Sequence, residues 1–148
     1  MGLKNDIESR VSEVIDDSYE ITDARVTPTR ESVTFGTTAK KFFARVLYID
    51  LRGSQQLLSD HQHITVLKAH KAFVYAVAKC IRAEGGDPRS FNGDSVLAFW
   101  AGSGDAVAKK AVRAAMKTRY AIDEIINPKI ESKYSDSLDF GIGIAQGD

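Results

Sequence analysis

The dipeptide Asn92-Gly93 constrains the fold more than any other feature of this chain. It stands between two short segments rich in strand-forming residues, Arg89 to Phe91 and Ser95 to Trp100. Asn-Gly tolerates the positive φ angles of a tight hairpin turn, so the pattern predicts a β-hairpin here. The segments before and after it must therefore pack around two antiparallel strands.

Long helical patterns flank the hairpin on both sides. Residues 62–83 carry apolar side chains largely on one face and end at two glycines, and residues 105–126 form an Ala-rich helix predicted to end before Pro128. Apolar runs at 42–50 and 138–145 predict one strand before and one strand after these helices. The resulting order, βαββαβ, is that of an α+β ferredoxin-like fold, an antiparallel sheet with helices on one face.

The first 41 residues follow a different pattern. Residues 4–18 have apolar positions at helical spacing among charges, which predicts a short amphipathic helix. Residues 19–41 mix threonine, arginine, proline and glycine with isolated apolar positions, which indicates an extended arm or a small hairpin. We therefore expect an N-terminal helix and arm over residues 1–41 and a core domain over residues 42–148.

Charge and composition exclude several classes of protein. Of the 148 residues, 20 are lysine or arginine and 20 are aspartate or glutamate, so no overall basic field exists to collect nucleic acid. Because no apolar stretch reaches membrane-spanning length, we expect no membrane insertion. Cys80 is the single cysteine, which excludes an internal disulfide and favours a cytoplasmic location. Any anionic ligand must be held locally.

Two aspartates are predicted to meet at one end of the sheet. Asp50 ends the strand over residues 42–50, and Asp94 follows the hairpin turn. In a βαββαβ sheet the first and third strands are antiparallel neighbours, which brings the end of one beside the start of the other. Two such carboxylates, next to a turn containing Gly53, suit divalent metal binding beside phosphates. The alternative is that each is an ordinary turn-forming aspartate.

Three segments resemble motifs of the class III nucleotidyl cyclases, the family of adenylate and guanylate cyclases. Leu47 to Ser54 reads LYIDLRGS and resembles the family's first metal motif, and Phe91 to Phe99 reads FNGDSVLAF and resembles its Gly-Asp hairpin. Gly141 to Gly147 is similar to its later strand and glycine turn. The N-terminal arm and residues 121–128 further resemble the bacterial anti-phage cyclases that produce cyclic UMP or cyclic CMP.

This resemblance implies an enzyme that converts a nucleoside triphosphate into a 3′,5′-cyclic nucleotide and pyrophosphate. It implies that Asp50 and Asp94 are catalytic residues and bind two Mg²⁺ or Mn²⁺ ions, with the Leu51 carbonyl as a further ligand. It also implies that the N–H groups of one turn bind the substrate phosphates, the turn formed by Leu51, Arg52, Gly53, Ser54 and Gln55.

The base-reading position departs from the family's usual pattern. Purine cyclases commonly have a lysine or glutamate four residues before the hairpin aspartate, where this chain has Ser90. Serine is too short to reach the polar groups of a purine, so we expect UTP, or else CTP, as the substrate. Arg89 and Phe91 are expected to supply a donor and an aromatic wall to the base pocket. An adenylate cyclase that reads adenine with another segment is the alternative.

The family's transition-state asparagine and arginine lie beyond the glycine turn, after the last residue of this chain. The chain by itself is therefore expected to have little or no activity. The resemblance also implies a homodimer with its sites at the interface, each site taking metal residues from one copy and base and transition-state residues from the other. It implies a second-messenger role in defence, with a downstream effector that senses the cyclic nucleotide.

Two other classes of function share parts of this pattern. A non-catalytic cyclase-like domain would bind a nucleotide without converting it. An RNA-recognition domain has the same strand order, but the hairpin strand here lacks the Lys/Arg-Gly-Phe pattern and the net charge is zero. Triphosphate binding that disappears with a chelator distinguishes the cyclase-like interpretations from RNA binding.

Overall fold

A computed structural model of the chain describes residues 2–32, 36–53 and 62–148. The chain forms two compact units, residues 1–42 and residues 43–148. None of the helices in the described ranges combines the length and apolar character that a membrane span requires.

The first unit contains one helix and two short strands. Helix α1 spans Leu3–Asp16, strand β1 spans Glu20–Asp23 and strand β2 spans Thr38–Lys41, with a 3₁₀ turn at Arg30–Ser32. The amphipathic helix predicted at 4–18 is thus present, two residues shorter at its end. The strands β1 and β2 pair in parallel. The hairpin expected as one option for residues 19–41 is therefore wrong, because a hairpin joins antiparallel strands.

The second unit has the predicted order of strands and helices. Its elements are β3 (Ala44–Arg52), α2 (His63–Ala83), β4 (Asp87–Asn92), β5 (Ser95–Ala101), α3 (Asp105–Tyr120), a π-helix (Ala121–Ile126), α4 (Asn127–Tyr134) and β6 (Asp139–Gly147). The four strands form one antiparallel sheet in the order β4-β5-β3-β6. The α+β fold class is confirmed, and β3 and β5 are the central neighbours that the topology predicted.

Alternation along β3 divides the sheet into two faces. Leu47, Ile49 and Leu51 are buried in the core, whereas Tyr48 and Arg52 between and after them are exposed. The same period of two continues on β5, where Val96, Ala98 and Trp100 are buried. We call the side of these buried residues the helix face, because α2 and α3 contact the sheet there and contribute Phe73, Val77, Ile81, Ala111 and Ala114 to the core.

The helical segment after β5 does not end where the sequence predicted. It was expected to end before Pro128, but it continues as a π-helix over Ala121–Ile126 and then as α4 to Tyr134. Pro128 stands in the first turn of α4, where its missing N–H and fixed φ are tolerated. The π-helix shifts the hydrogen-bond register just before the proline, so the segment passes through Pro128 without ending.

Candidate active site

Cross-strand pairing defines the sheet face opposite the helices, which we call the outer face. Residues that stand directly opposite each other on neighbouring strands share a face. Asp50 of β3 pairs with Ser95 of β5 and with Gly141 of β6, and Ser95 pairs with Asn92 of β4. These four residues form one row across the sheet, and Asp50 lies half-buried in its centre.

The hairpin turn brings Asp94 next to this row. Strand β4 ends at Asn92 and β5 begins at Ser95, so Gly93 and Asp94 are the two turn residues. Gly93 has φ +66°, whereas the φ of Asp94 is not positive. Glycine at the first turn position is typical of a type II′ hairpin. Asn92 is the last residue of β4, so the turn lies one residue later than the Asn-Gly pattern predicted.

One backbone hydrogen bond joins the two aspartate-bearing segments. The N–H of Leu51 donates to the carbonyl of Asp94 over 3.0 Å. Within a strand the N–H and C=O of one residue point to the same side, so the Leu51 carbonyl leaves β3 on the side of Asp94. Asp50, Asp94 and the Leu51 carbonyl therefore belong to one end of the β3–β5 ladder.

Arg52 is the next residue of the outer face after Asp50. A Cβ placed on Gly141 would lie 3.3 Å from Nη2 and 3.4 Å from Nε of Arg52. The Arg52 guanidinium therefore lies over Gly141, the residue directly opposite Asp50. A cation thus lies close to the row that contains Asp50.

The Arg52 side chain also lines a polar cavity of about 410 Å³. Its other polar side chains are Arg119, Asp123 and Asp139, and Arg119 Nε lies 3.4 Å from Asp123 Oδ2. Arg119 and Asp123 stand at the junction of α3 and the π-helix. The cavity thus holds two guanidinium groups and two carboxylates next to the outer face, so its formal charges balance.

The predicted base-reading residues do not all lie on the same face. Ser90 pairs with Leu97, which pairs with Tyr48, so Ser90 belongs to the outer face in the row next to Asp50. Arg89 occupies an irregularity between Pro88 and Ser90 and binds Asp87 through Nε at 2.7 Å. Such a bulge re-aims side chains, and it breaks the simple alternation that the sequence suggested.

Phe91 lies apart from the other predicted site residues. It pairs with Val96, a buried residue of the helix face, and it borders a groove on α2. Phe91 was expected to stand beside Arg89 as an aromatic wall of the base pocket, but the structure does not bring it to the outer face. The predicted positions Ser54 and Gln55 lie outside the described residues.

Tyr48 lies on the outer face near Asp50, a position that the sequence analysis did not identify. It stands on the outer face two residues before Asp50, between Leu97 and Gly143, and 46% of its side chain is exposed. The apolar run 42–50 predicted a strand but did not show which of its residues are exposed. Alternation counted backwards from Asp50 would have indicated that Tyr48 shares its face.

The residues at this end of the sheet fit a hard divalent cation better than zinc. Among the described residues no group of three or more His, Cys, Asp or Glu side chains is arranged to hold a metal. Two carboxylates and one backbone carbonyl are oxygen ligands, as Mg²⁺ and Mn²⁺ prefer, and such ions usually complete their shell with water and substrate phosphates.

The fold of the second unit is that of a class III nucleotidyl cyclase catalytic domain. A crystal structure of a guanylyl cyclase superposes with a TM-score of 0.65 and 26% identity, covering 71% of this chain and 54% of that one. The adenylyl cyclase CyaB from P. aeruginosa superposes with a TM-score of 0.67 and 19% identity, covering 72% of this chain and 56% of that one. No family model matches the chain.

In sequence, the chain is similar to bacterial uridylate cyclases. It is 34% identical to the uridylate cyclase of Xanthomonas perforans over 136 residues, 91% of this chain and 58% of that protein. It is 28% identical to that of Rhodovulum sp. (strain MB263) over 144 residues, 97% of this chain and 59% of that protein. The resemblance seen in the sequence motifs is confirmed, and the chain spans somewhat more than half the length of these curated relatives.

Proposed function

We propose that the chain forms the metal-binding and phosphate-binding part of a nucleotidyl cyclase. The observation that carries the proposal is the hydrogen bond from Leu51 N–H to the Asp94 carbonyl, which ties the hairpin turn to the strand that bears Asp50. Similarity to uridylate cyclases over nine tenths of the chain supports the same activity. The reaction is the conversion of a nucleoside triphosphate into a 3′,5′-cyclic nucleotide and pyrophosphate.

Asp50, Asp94 and the Leu51 carbonyl are the groups that would hold two divalent ions, Mg²⁺ or Mn²⁺. When bound, such ions lower the pKa of the ribose 3′-hydroxyl and neutralise charge on the triphosphate. The two aspartates hold their charges in place before substrate arrives, because their segments are fixed by the sheet.

The chain's other residues at this site bind and orient the substrate. Leu51 and Arg52 belong to β3, and the Leu51 N–H is already bonded to the Asp94 carbonyl. The N–H groups proposed to bind phosphate oxygens are therefore those of Gly53 and of the next residues in the sequence, Ser54 and Gln55. Gly53 has φ +64°, a conformation that favours glycine and opens the backbone for such contacts. The Arg52 guanidinium over Gly141 adds a cation on the same side.

The chemical step needs no covalent enzyme intermediate. The 3′-oxygen forms a bond to the α-phosphorus, the bond between that phosphorus and the bridging oxygen to the β-phosphorus breaks, and pyrophosphate leaves with both electrons of that bond. The proton of the 3′-hydroxyl passes to solvent. The chain's contribution is positioning and electrostatic stabilisation, as in other phosphoryl transfers.

A pyrimidine triphosphate is the proposed substrate, with UTP favoured over CTP. Ser90 on the outer face is short, and Tyr48 and Leu97 share its row. An aromatic ring and a small hydroxyl suit stacking and hydrogen bonding of a small base. The names of the curated relatives support uridine. Adenine remains the alternative base, to be tested directly.

The enzyme is proposed to act as a homodimer that joins two outer faces. Besides charged residues, this face carries the apolar side chains of Tyr48, Leu97 and Phe99. Contact between the outer faces of two copies would bury these apolar side chains. Each site would take its metal residues from one copy and its base-reading residues from the other. The cyclic nucleotide would act as a second messenger in defence against phage, sensed by a separate effector.

The test measures UTP binding to the chain by calorimetry with MnCl₂ and again with excess EDTA. We expect binding that disappears with EDTA, and Asp50→Asn or Asp94→Asn to weaken it at least about tenfold by removing a metal ligand. Asp105→Asn, the same change at an exposed position in the first turn of α3, is the matched control and should bind like the unaltered chain. UTP binding that persists in EDTA, or that neither aspartate variant weakens, would contradict the proposal.

A further inference from the structure

A second surface lies on the opposite side of the sheet, away from the candidate active site. It is a groove of about 450 Å³ along helix α2, closed on one side by Phe91 of β4. Its apolar floor is formed by Val74, Tyr75, Ala78 and Phe91, and its other lining residues are His70, Lys71, Lys79 and Arg82. The proposed catalysis uses none of the α2 residues.

The groove follows one stripe of α2 over three turns. Its members are spaced three and four residues apart from Lys71 to Arg82, which is the spacing of one helix face. Lys71 and Arg82 are eleven residues apart, and a rise of about 1.5 Å per residue makes the groove about 16 Å long. The groove is therefore long and open along its axis, and its shape matches another helix lying alongside.

Two aromatic side chains of this groove are exposed to solvent. Tyr75 is 67% exposed and Phe91 is 44% exposed. Exposed aromatic residues gathered in one recess indicate a surface that binds a partner, because large aromatic rings supply much of the energy of interfaces. Tyr75 and Phe91 are the anchor positions for such a partner.

The charge of the groove has one sign. Lys71, Lys79 and Arg82 border the apolar floor, and none of the described residues that line the groove is acidic. Lys79 Nζ lies 5.7 Å from the centre of the Tyr75 ring, so this ammonium group is positioned over the aromatic floor. The chain has no net charge overall, so this cationic rim is a local feature.

We propose that this groove binds an acidic amphipathic helix of a partner protein. The apolar side of that helix would cover Val74, Tyr75, Ala78 and Phe91, and its glutamate or aspartate side chains would pair with Lys71, Lys79 and Arg82. This is the helix-in-groove mode of recognition, in which apolar side chains anchor and flanking charges select the partner.

The shape argues against two other occupants. A small ligand is normally enclosed over most of its surface, which a groove open over three turns does not provide. An anionic membrane needs apolar side chains spread over a broad surface, whereas the apolar residues of this groove form one narrow stripe between α2 and β4. Both occupants are nevertheless outcomes that the experiment can detect.

The experiment uses the 148-residue chain and a fluorescent helical peptide of about 16 residues, crosslinked because short isolated helices are marginal in water. The peptide carries leucine on one face and glutamate on the other. A matched peptide has glutamine in place of every glutamate. We expect saturable binding of the glutamate peptide that weakens as salt rises, and much weaker binding of the glutamine peptide.

Variants of the chain test both parts of the groove. Tyr75→Ser should weaken binding about thirtyfold through loss of an anchor, and Lys79→Glu with Arg82→Glu should weaken it at least about tenfold. Lys109→Glu, a charge reversal at an exposed position on α3, is the control and should leave binding unchanged. All four residues are exposed, so unfolding is not expected, and thermal melts check this.

Four outcomes would overturn the proposal. They are no binding of either peptide, equal binding of both peptides, binding unaffected by Tyr75→Ser, and sedimentation of the chain with phosphatidylserine vesicles in the absence of peptide binding. UTP binding is measured on the same variants and should not change, because Asp50 lies on the outer face, Asp94 lies in the hairpin turn, and neither lines the groove. Failure of the groove proposal and failure of the cyclase proposal are therefore distinguishable.

Discussion

Gly141 shows how one missing side chain shapes the candidate active site. It stands directly opposite Asp50, and the Arg52 guanidinium occupies the space above it. Any larger residue there would contact that guanidinium at 3.3–3.4 Å, which is closer than most side chains tolerate. Glycine at this position therefore allows Arg52 to lie back along the sheet toward the row of Asp50.

Gly141→Ala is expected to displace the Arg52 side chain and to weaken UTP binding about threefold to tenfold, because the displaced guanidinium keeps only part of a charged hydrogen bond to the phosphates. The matched control is Gly143→Ala, two residues further along the same strand and on the same face, where an added Cβ meets nothing within 4 Å. Titration of both variants with UTP and MnCl₂ measures the difference. Equal affinities for the two variants would mean that Arg52 does not contact the nucleotide.

Gly86 is a second glycine whose role is steric, in this case in the core. It follows α2, and a Cβ placed on it would overlap the Trp100 indole ring and lie 2.8 Å from Ile81 Cγ2. Trp100 cannot easily move, because it is buried and its Nε1–H donates to the Glu84 carbonyl over 3.0 Å. The close approach of α2's end to β5 thus depends on glycine at this position.

We expect Gly86→Ala to lower the free energy of unfolding by about 1–3 kcal/mol, the usual cost of forcing extra volume into a packed core. Urea unfolding followed by Trp100 fluorescence measures it. Gly143→Ala serves again as the comparison and should be close to neutral in stability, since the added methyl group is in open space. A Gly86→Ala variant as stable as the unaltered chain would show that the indole has room to shift.

At the scale of elements, one carboxylate ties helix α2 to helix α3. Glu84, just after α2, accepts from Lys117 Nζ at 2.6 Å and from Arg113 Nε at 2.8 Å. These two bonds, that from Lys117 first, hold the pKa of the Glu84 carboxyl below its ordinary value of 4.5. Because the folded pKa is lowered, the ionised form stabilises the fold above pH 4.5, and this stabilisation is lost as the pH falls below it.

Glu84→Gln should therefore reduce stability at pH 7 while making stability less dependent on pH between about pH 5 and pH 3. The midpoint of urea unfolding, measured at pH 7 and pH 3.5 for both proteins, gives the comparison. Glu124→Gln, at an exposed glutamate of the π-helix, is the control. If the gap between unaltered chain and Glu84→Gln stays constant over this pH range, the ion pairs do not contribute to stability.

The order of elements could be predicted from sequence because it depends on local periodicity and turn chemistry. The apolar repeats of α2 and α3, the run ending at Asp50 and the Asn92-Gly93 dipeptide were sufficient for the βαββαβ order and for the approach of Asp50 to Asp94. The order and pairing of the strands are enough to bring the segments of these two aspartates together.

Features that depend on hydrogen-bond register could not be predicted in this way. The π-helix at Ala121–Ile126 lets the chain continue through Pro128, and nothing in the residue pattern distinguishes it from an α-helix. The bulge at Arg89 changes the direction of a side chain on an edge strand without a glycine to signal it. The faces of Phe91 and Tyr48, by contrast, follow simple alternation along β4 and β3, and they were not deduced because that alternation was not counted from Asp50.

At the scale of the whole second unit, the sheet separates two surfaces with different proposed roles. The outer face carries Asp50, Tyr48 and Ser90, and the helix face carries the α2 groove with Tyr75 and Phe91. Phe91 and Ser90 are neighbours on β4 that face opposite sides. Strand β4 thus joins the proposed nucleotide site to the proposed partner site, so substitutions on either side of it can be examined for effects on both.

The preference of the enzyme for one base is proposed to depend on several outer-face residues together. Ser90, Leu97 and Tyr48 form one row beside the row of Asp50, and a short serine leaves space that a long base-reading side chain would fill. In an active form of the enzyme we expect UTP to be cyclised with a kcat/KM at least about tenfold higher than that of ATP, since a pocket shaped around one base rejects another.

Ser90→Lys should lower this ratio, because a lysine ammonium would occupy the space of the small base and offer donors to the ring nitrogens of a purine. Ser103→Lys makes the same change at an exposed position after β5 and should leave the ratio unaltered. Products formed from equal mixtures of UTP, CTP and ATP with MnCl₂, separated and quantified, give the ratios directly. ATP cyclised as efficiently as UTP and CTP by the unaltered protein would refute the pyrimidine assignment, although the paired aspartates could still serve an adenylate cyclase.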